Sequence, residues 1–198
     1  MVIGLTGGIG CGKTTVLRVF ESLGVPCFIA DEDAKRCYEQ ESFLENLRLV
    51  FGEDVFTADG GVDKKMLAQK VFSDTDNLRR LNEMIHPQVR KNFEEWCKKH
   101  SESSVLLLES AILYESGFDS MVDCVVTVYL NKDERLKRLM QRDNTTREQL
   151  LQRMGNQMPD EEKLSRADYV ILNYEGNPRR RQVEYILSKI NGKLTIVS

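Results

Sequence analysis

A short apolar run followed at once by a glycine-rich segment constrains the fold more than any other feature of this chain. The run is Val2–Leu5, and Gly7–Thr14 behind it fits the phosphate-binding pattern G-x-x-x-x-G-K-[ST]. In this pattern a strand leads into the loop, backbone N–H groups of the loop surround phosphate oxygens, and the next helix directs its positive N-terminus at the same anion. The spacing therefore predicts a strand, a phosphate-binding loop (P-loop) and a helix that ends at Gly24.

Side chains of the loop carry its expected chemistry. Lys13 supplies positive charge to the β- and γ-phosphates of a nucleotide, and Thr14 offers a hydroxyl to Mg²⁺. A glycine-rich turn without a ligand is the alternative interpretation. The strand, the Lys-Thr pair and the capped helix all fall where phosphate binding needs them, which favours the P-loop.

Overall charge limits what else the chain binds. The 198 residues include 31 acidic and 28 basic side chains, which give a net charge of −3. A chain without a positive field is not typical of a general nucleic-acid binder, so we expect the bound anion to be held locally. The length suits one domain with room for an insertion.

Cysteine use and hydropathy predict the compartment. The five cysteines are widely spaced and form no C-x-x-C pair, which indicates reduced thiols rather than disulfides or a zinc site. No stretch approaches the ~20 apolar residues of a membrane span, and no signal-like segment begins the sequence. We expect a soluble, unprocessed, cytoplasmic protein without a membrane partner, a nucleic-acid partner or an evident obligate protein partner.

Apolar runs alternate with helical patterns along the chain, which is typical of an α/β fold. The expected strands are Val2–Leu5, Val25–Ala30, Val105–Leu108, Val125–Leu130 and Tyr169–Leu172. Together with the P-loop they predict a P-loop NTPase fold, a three-layer open parallel sheet whose ligands bind beyond the carboxyl ends of the strands.

The spacing of these strands predicts a single domain with two elaborations. The expected core is about 1–30, 102–132 and 166–198, and the segment between the second and third strands, about 31–101, reads as a helical insertion that binds the phosphoryl acceptor. A helical extension without a binding role is the alternative. Residues of about 133–165 read as a small helical lid.

Capping patterns predict where the inserted helices begin and end. Ser42–Glu45 is a capping box for a helix that Gly52 closes, and Asp63 caps a helix running to Phe72. Two further helices are expected, one from about Asp74 to Ile85 and one that Pro87 starts and that reaches about Lys99.

The lid segment has patterns of the same kind. Asp133 is the expected cap of a helix with Arg135, Arg138 and Arg142 on one face, and Thr145–Glu148 is a capping box for a helix ending near Gly155. For any single arginine, simple solvation is the alternative to a role in catalysis. Arg142, Arg147 and Arg153 together suit a phosphoryl-transfer site, which needs cations from outside the loop. Arg179-Arg180-Arg181, at a helix N-terminus, reads as a solvated face.

Acidic residues at two strand ends are candidates for the remaining chemistry. If the second strand neighbours the loop strand, Asp31 lies across the crevice from the γ-phosphate and can accept the proton of an attacking hydroxyl. Asp33 is either a catalytic acid or the N-cap of the next helix. Glu109 either holds Mg²⁺ through water or pairs with Lys13.

Other classes of P-loop protein lack support. A GTPase needs a D-x-x-G switch and an N-K-x-D base reader, and Asn131–Glu134 ends in Glu where the reader needs Asp. A motor or remodelling ATPase usually has Asp-Glu after an apolar strand, whereas Glu109-Ser110 follows the third strand here. A small-molecule kinase needs a loop, a base, an acceptor subdomain and a basic lid, and each has a candidate.

These residues resemble bacterial dephospho-CoA kinase, and the resemblance covers nearly the whole chain in order and spacing. The matching segments are Thr6–Thr15, Gly24-Val25-Pro26, Asp31 with Ala34, Ile85-His86-Pro87 with Val89-Arg90, Leu113-Tyr114-Glu115 with Gly117, Arg138 to Asp143, Thr146-Arg147, Arg153, Gln157 and Ala167–Asn173. Cys11 replaces the usual Ser, and Lys35 stands where His or Arg is commoner.

The resemblance implies transfer of the ATP γ-phosphoryl group to the ribose 3′-hydroxyl of dephospho-CoA with Mg²⁺, the last step of coenzyme A synthesis. By the family pattern, Asp31, Lys13 and Arg142 are catalytic. The implied ATP-binding residues are Gly10, Cys11, Gly12, Lys13, Thr14 and Thr15, with Thr14 also binding Mg²⁺. The implied acceptor-binding residues are Asp33, Lys35, His86 and Arg147. For His86 the alternative is a residue that closes a helix end before Pro87.

Two other functions stay open at this point. One is a different P-loop small-molecule kinase, such as a nucleoside monophosphate kinase, which shares the loop and the lid but differs in the acceptor pocket. The other is a non-catalytic module that binds ATP as a regulatory ligand.

Overall fold

The structure is a computed structural model that describes residues 1–72 and 74–194. The chain divides into two compact units, an α/β unit formed by Met1–Ile29 with the chain from His100 onward, and a helical unit, Ala30–Lys99. The end of the predicted core, 195–198, lies outside the described residues. Within the described ranges, no helix combines the length and the apolar character needed to cross a membrane.

The α/β unit is built on a five-stranded sheet in which all strands are parallel, in the order β2-β3-β1-β4-β5. The strands are β1 (Val2–Thr6), β2 (Cys27–Ile29), β3 (Leu106–Glu109), β4 (Cys124–Tyr129) and β5 (Tyr169–Leu172). All five predicted strands are confirmed, which confirms the α/β class and the open parallel sheet.

Strand β2 lies at the edge of the sheet, beside β3. The argument for Asp31 was conditional on β2 lying beside β1, and that condition is not met, because β3 lies between them with Leu5 and Ile29 both in register with Glu109. Burial explains the order, because every residue of β3 is buried, as in a central parallel strand covered on both faces. The three-residue β2 is only partly buried, which suits an edge.

The main apolar core lies between the sheet and the helices that cover it. In the α/β unit they are α1 (Lys13–Ser22), α6 (Lys132–Asp143), α7 (Arg147–Gly155), α8 (Asp160–Arg166) and α9 (Arg179–Leu194). Helices α1 and α9 pack together over one face of the sheet, where Phe20 and Ile186 meet Ile3 and Leu5. Gly4 points to the other face, where an added Cβ would come within 2.9 Å of Leu113. Alternate residues of β1 are thus buried on opposite faces.

The helical unit contains α2 (Ala30–Arg36), α3 (Glu41–Phe51), α4 (Lys64–Phe72) and α5 (Thr75–Lys99). Helices α2, α3 and α4 all contact α5. The prediction of two helices separated at Pro87 is wrong, because α5 is a single helix of 25 residues that contains Pro87. A proline inside a helix removes one N–H donor. The apolar face that buries Leu81, Val89 and Phe93 spans both sides of Pro87, so packing outweighs that local loss.

Helix ends show which capping predictions hold. Gly52 closes α3, and Asp63 accepts the N–H groups of Lys65 and Met66 at the start of α4, so both predictions are confirmed. The box at Ser42 is wrong, since α3 begins at Glu41 without a side-chain cap.

Helices α6 and α7, in the segment predicted to be a lid, also begin at other caps than expected. Asn131, not Asp133, caps α6 by accepting the N–H of Glu134. Helix α7 has a capping box, but it runs from Thr146 to Gln149, one residue later than predicted. In each case several neighbouring polar residues can cap, and the one with extended backbone immediately before the first helical turn does so.

Candidate active site

The P-loop leaves β1 and runs directly into α1, as predicted. Gly10 and Gly12 adopt positive φ values of 81° and 92°, which side-chain-bearing residues rarely adopt, so the loop needs glycine at both positions. Cys11 donates its N–H to the Gly8 carbonyl at 3.1 Å and closes a tight turn. The sequence pattern therefore corresponds to a defined backbone shape.

This shape leaves a set of donors for an anion. Across residues 1–72 and 74–194, no group accepts a hydrogen bond from the N–H groups of Gly10, Gly12, Lys13 and Thr14. They stand at the N-terminus of a ten-residue helix that has no acidic side chain in its first turn. Free N–H groups and a positive helix end together form an anion site.

The side chain of Lys13 bridges the P-loop and β3. Its Nζ donates to the Gly7 carbonyl at 3.1 Å and lies 3.9 Å from Glu109 Oε1. Glu109 is the last residue of β3 and is 8 % exposed. Of the two roles that the sequence left open for Glu109, the ion pair with Lys13 is present, and the Mg²⁺ role stays a prediction.

Cys11 contributes its backbone rather than its thiol. The side chain is 1 % exposed, and burial raises the pKa of the thiol despite the opposing charge of Lys13. The Cys11 carbonyl accepts a hydrogen bond from Asn173 Nδ2 at 2.6 Å. A small side chain is sufficient here, which is consistent with the substitution of Cys for Ser in the loop.

Asn173, directly after β5, contacts the P-loop, and sequence reasoning missed this contact. Its amide Nδ2 would overlap a Cβ added at Gly12, so this close approach is a second reason for glycine there. Asn173 Oδ1 accepts a hydrogen bond from Arg179 Nε. The interpretation of Arg179-Arg180-Arg181 as a solvated face is therefore wrong for Arg179. The available signal for Asn173 was its position, as a polar residue directly after an apolar strand.

A second missed contact holds the other side of the loop. Arg135 in α6 is 3 % exposed, donates from Nη1 to the Ile9 carbonyl at 3.3 Å, and forms an ion pair with Asp160. The Ile9 N–H donates to Gln157 Oε1 at 2.9 Å. The sequence placed Arg135 with Arg138 and Arg142, and helical spacing alone did not separate the buried arginine from the exposed ones.

The arginines predicted to act from the lid do not share the contacts of Arg135 with the P-loop. Arg142 is 68 % exposed and pairs with Asp143 at 2.6 Å, and Arg153 approaches the same carboxylate at 3.8 Å. The hydrogen bond between Arg142 and Asp143 raises the pKa of the guanidinium and lowers the pKa of the carboxyl. Arg147, the first residue of α7, is exposed. Arg142 and Arg153 thus share one counterion, and their catalytic role stays a prediction.

The acidic candidates of the helical unit lie on α2. Asp31 is exposed in the first turn of that helix, two residues after the end of β2. Asp33 is 7 % exposed inside the helix and accepts a hydrogen bond from Asn92 Nδ2 at 2.8 Å. The N-cap alternative for Asp33 is wrong, because α2 begins earlier, at Ala30.

Lys35 and His86 are the other candidates in this unit. Lys35 lines a cavity of about 330 Å³ together with Lys64, Tyr38 and the apolar side chains of Leu67, Ala68, Val71, Leu78 and Leu81. His86 is half-buried within α5, so the interpretation as a helix-closing residue is wrong. Burial and the charge of Arg90 lower the pKa of His86.

An all-parallel sheet with a P-loop at the end of its central strand, and with the loop lysine paired to an acid from the neighbouring strand, is the architecture of a P-loop nucleotide-binding protein. The sequence model of the dephospho-CoA kinase family matches residues 1–178. The chain belongs to that family, and the resemblance stated from the sequence is confirmed.

Individual relatives are similar to this chain over nearly their whole length. A dephospho-CoA kinase of Bacteroides fragilis is 38 % identical over 193 residues, which cover 97 % of this chain and 94 % of the relative. A crystal structure of a Thermus thermophilus protein is 34 % identical with a TM-score of 0.86, covering 96 % of this chain and 97 % of that chain. A dephospho-CoA kinase from Campylobacter jejuni is 28 % identical with a TM-score of 0.69, covering 96 % of each chain.

Proposed function

We propose that this protein is a phosphotransferase that moves the γ-phosphoryl group of ATP to the ribose 3′-hydroxyl of dephospho-CoA, giving coenzyme A and ADP. Family membership over residues 1–178 is the observation that carries the identity of the acceptor. The P-loop supports the identity of the donor, because its free N–H groups and Lys13 match the β- and γ-phosphates of a nucleoside triphosphate. We place the reaction in the cytoplasm, which five cysteines in the reduced state favour.

Within the proposed reaction, the loop stabilises charge. Backbone N–H groups and Lys13 bind the phosphate oxygens, and their positions are set before the nucleotide arrives. Preorganised donors of this kind stabilise a transition state because they need little reorganisation as charge develops. Arg142 adds a cation from outside the loop once it leaves Asp143.

The residues present also fit Mg²⁺. Thr14 offers an exposed hydroxyl at the start of α1, and Glu109 offers a carboxylate beside Lys13. No cage of three or more His, Cys, Asp or Glu residues exists in the described part of the chain. This agrees with an ion that keeps several waters and binds through few protein oxygens and the substrate phosphates. When bound, Mg²⁺ would neutralise part of the phosphate charge.

We assign the acceptor to the helical unit. The cavity beside Lys35 combines apolar walls with the ammonium groups of Lys35 and Lys64. Dephospho-CoA presents a long, weakly polar arm and a pyrophosphate, and such a cavity provides for both. Asp31 is the proposed base, and Asp33, His86 and Arg147 are proposed acceptor contacts.

A coupled ADP-release assay tests the acceptor. Purified protein, ATP and Mg²⁺ are supplied with dephospho-CoA, AMP, CMP or dTMP, and we expect turnover with dephospho-CoA alone. Preference for a nucleoside monophosphate would replace the assignment with another small-molecule kinase. Binding of ATP without transfer to any acceptor would favour a regulatory module.

The base is tested in the same assay. Asp31→Asn should bind both substrates and lose most turnover, because the amide cannot accept the proton of the hydroxyl. Glu32→Gln, which neutralises the neighbouring exposed carboxylate of α2, is the matched control and should retain turnover. Unchanged turnover in Asp31→Asn would assign the base to a different residue.

A further inference from the structure

Both backbone groups of one P-loop residue are bound by side chains from distant parts of the chain. The N–H of Ile9 donates to Gln157 Oε1 at 2.9 Å, and its carbonyl accepts from Arg135 Nη1 at 3.3 Å. The Ile9 side chain also packs against the cluster of Leu136, Leu139 and Leu150 between α6 and α7. Ile9 is therefore held on three sides, and its N–H is directed away from the phosphate cradle.

The groups that hold Ile9 are themselves fixed. Arg135 is buried and paired with Asp160, the first residue of α8. Next to Gln157, the N–H of Met158 donates to Glu115 Oε1 at 2.7 Å. Thus Arg135 is held by Asp160, and the backbone next to Gln157 is held by Glu115.

Glu115 in turn is anchored. Lys163 Nζ lies 3.1 Å from Glu115 Oε1 and donates to the Ala111 carbonyl at 2.8 Å, and the Lys163 side chain is 0 % exposed. A lysine so deeply buried is retained only where its charge is paired and hydrogen-bonded. The chain of contacts therefore runs from the segment after β3, through Lys163 and Glu115, to the residues that hold the P-loop.

We propose that Gln157 and Arg135 are positioning residues for phosphoryl transfer, which fix the Ile9 peptide and thereby orient the N–H groups that follow it in the loop. They act through the loop backbone. The inference rests on the proposed function only in that the loop binds the phosphates of ATP. It concerns no acceptor, so nucleotide binding alone can test it.

The test compares Gln157→Met with Gln152→Met. Gln157→Met keeps the length and volume of the side chain but offers no strong acceptor to Ile9. Gln152, also in this region but exposed on α7, is the matched control. Binding of ADP by calorimetry, hydrogen exchange of the Ile9 amide by NMR and the unfolding temperature are measured for both variants and for the unmodified protein.

We expect Gln157→Met to weaken ADP binding about 10-fold or more, as one lost hydrogen bond with an orphaned donor would. Exchange of the Ile9 amide should be faster by a similar factor, and KM for ATP should rise while KM for the acceptor does not. Gln157→Glu restores an acceptor and should restore protection of the Ile9 amide. Gln152→Met should match the unmodified protein in all of these measurements.

Two results would overturn the inference. Faster exchange at Ile9 with unchanged ADP affinity would show that the hydrogen bond does not control the cradle. Equal loss of ADP affinity in Gln157→Met and Gln152→Met, or a loss that only follows the fall in unfolding temperature, would assign Gln157 a purely structural role. Because ADP binding needs no acceptor, failure of the kinase assay with dephospho-CoA leaves this test intact.

Discussion

Replacement of Gly8 by alanine tests how firmly the P-loop is held. The φ of Gly8 lies outside the left-handed region, so alanine fits the backbone and only the surroundings oppose it. A Cβ at this position would overlap Arg135 Nη1 and come within 2.7 Å of Asp160 Oδ1. Arginine is a long side chain and could swing away, but Arg135 is buried and paired with Asp160. Relief therefore requires loss of its contacts.

The magnitude follows from those contacts. Overpacking a tight site costs about 1–3 kcal/mol, and loss of a hydrogen bond from a charged donor costs about 1.5–3 kcal/mol. Alanine also lowers the conformational entropy of the unfolded chain relative to glycine, which offsets this cost by about 0.4–1 kcal/mol. We expect Gly8→Ala to lower the free energy of unfolding by about 2–5 kcal/mol. For a chain of this size the unfolding temperature should then fall by roughly 4–20 °C.

Urea denaturation and ADP calorimetry are the assays, and Gly155→Ala is the control. Gly155 is the last residue of α7, and a Cβ there would meet nothing within 4 Å. Alanine at Gly155 should be neutral or stabilise the protein by up to about 1 kcal/mol. In an Arg135→Met background the cost of Gly8→Ala should largely disappear, because the overlapping group is gone.

One outcome would refute this reasoning. If Gly8→Ala is as stable as Gly155→Ala and binds ADP equally well, the guanidinium of Arg135 is not fixed against the loop. A cost that persists in full when Arg135 is methionine would instead assign the clash to Asp160.

The remaining predictions concern the Lys163–Glu115 ion pair, Arg142 and His86. Glu115→Gln should destabilise the protein by about 3 kcal/mol or more, because Lys163 then becomes a buried unpaired cation. Adding Lys163→Met should recover much of this loss. A double variant that is less stable in urea than Glu115→Gln alone would contradict the prediction. Arg142→Ala should lower kcat by up to ~10³-fold with little change in ATP affinity, and an effect limited to KM would make it a positioning residue. The pKa of His86 is lowered from 6.5, so its contribution to stability is present above about pH 6.5 and is lost as the pH falls. His86→Gln should flatten the unfolding free energy on the acid side, and an unchanged acid dependence would exclude His86 as its source.

The parts of the fold that the sequence predicted are those with local causes. The P-loop, its strand and its helix follow from glycine conformations and apolar periodicity within a few residues, and β5 has the predicted bounds. The order of strands was not predictable in this way, because the neighbour of β2 depends on which apolar run is buried on both faces. Pro87 shows the same limit, since the buried face of α5 overrides a local helix-breaking signal.

The candidate site divides along the same line. Lys13 and Thr14 are identified by spacing within the loop, whereas Asn173, Gln157 and Arg135 reach the loop from far along the chain. These long-range hydrogen bonds leave no periodic pattern in the sequence. The residues that make them are also of types that are usually exposed, so burial could not be expected.

In the structure, Gly8 marks the close approach of Arg135. Gly10 and Gly12 need glycine for their positive φ, but the φ of Gly8 is one that other residues adopt. A glycine that the backbone does not require indicates that another group approaches closely. Here that group is a guanidinium, and the lack of a side chain at Gly8 is what allows Arg135 to reach the Ile9 carbonyl. The choice of residue at a variable position of the loop thus sets which side chain can support it, and a P-loop with a larger residue at this position must be held by a different contact.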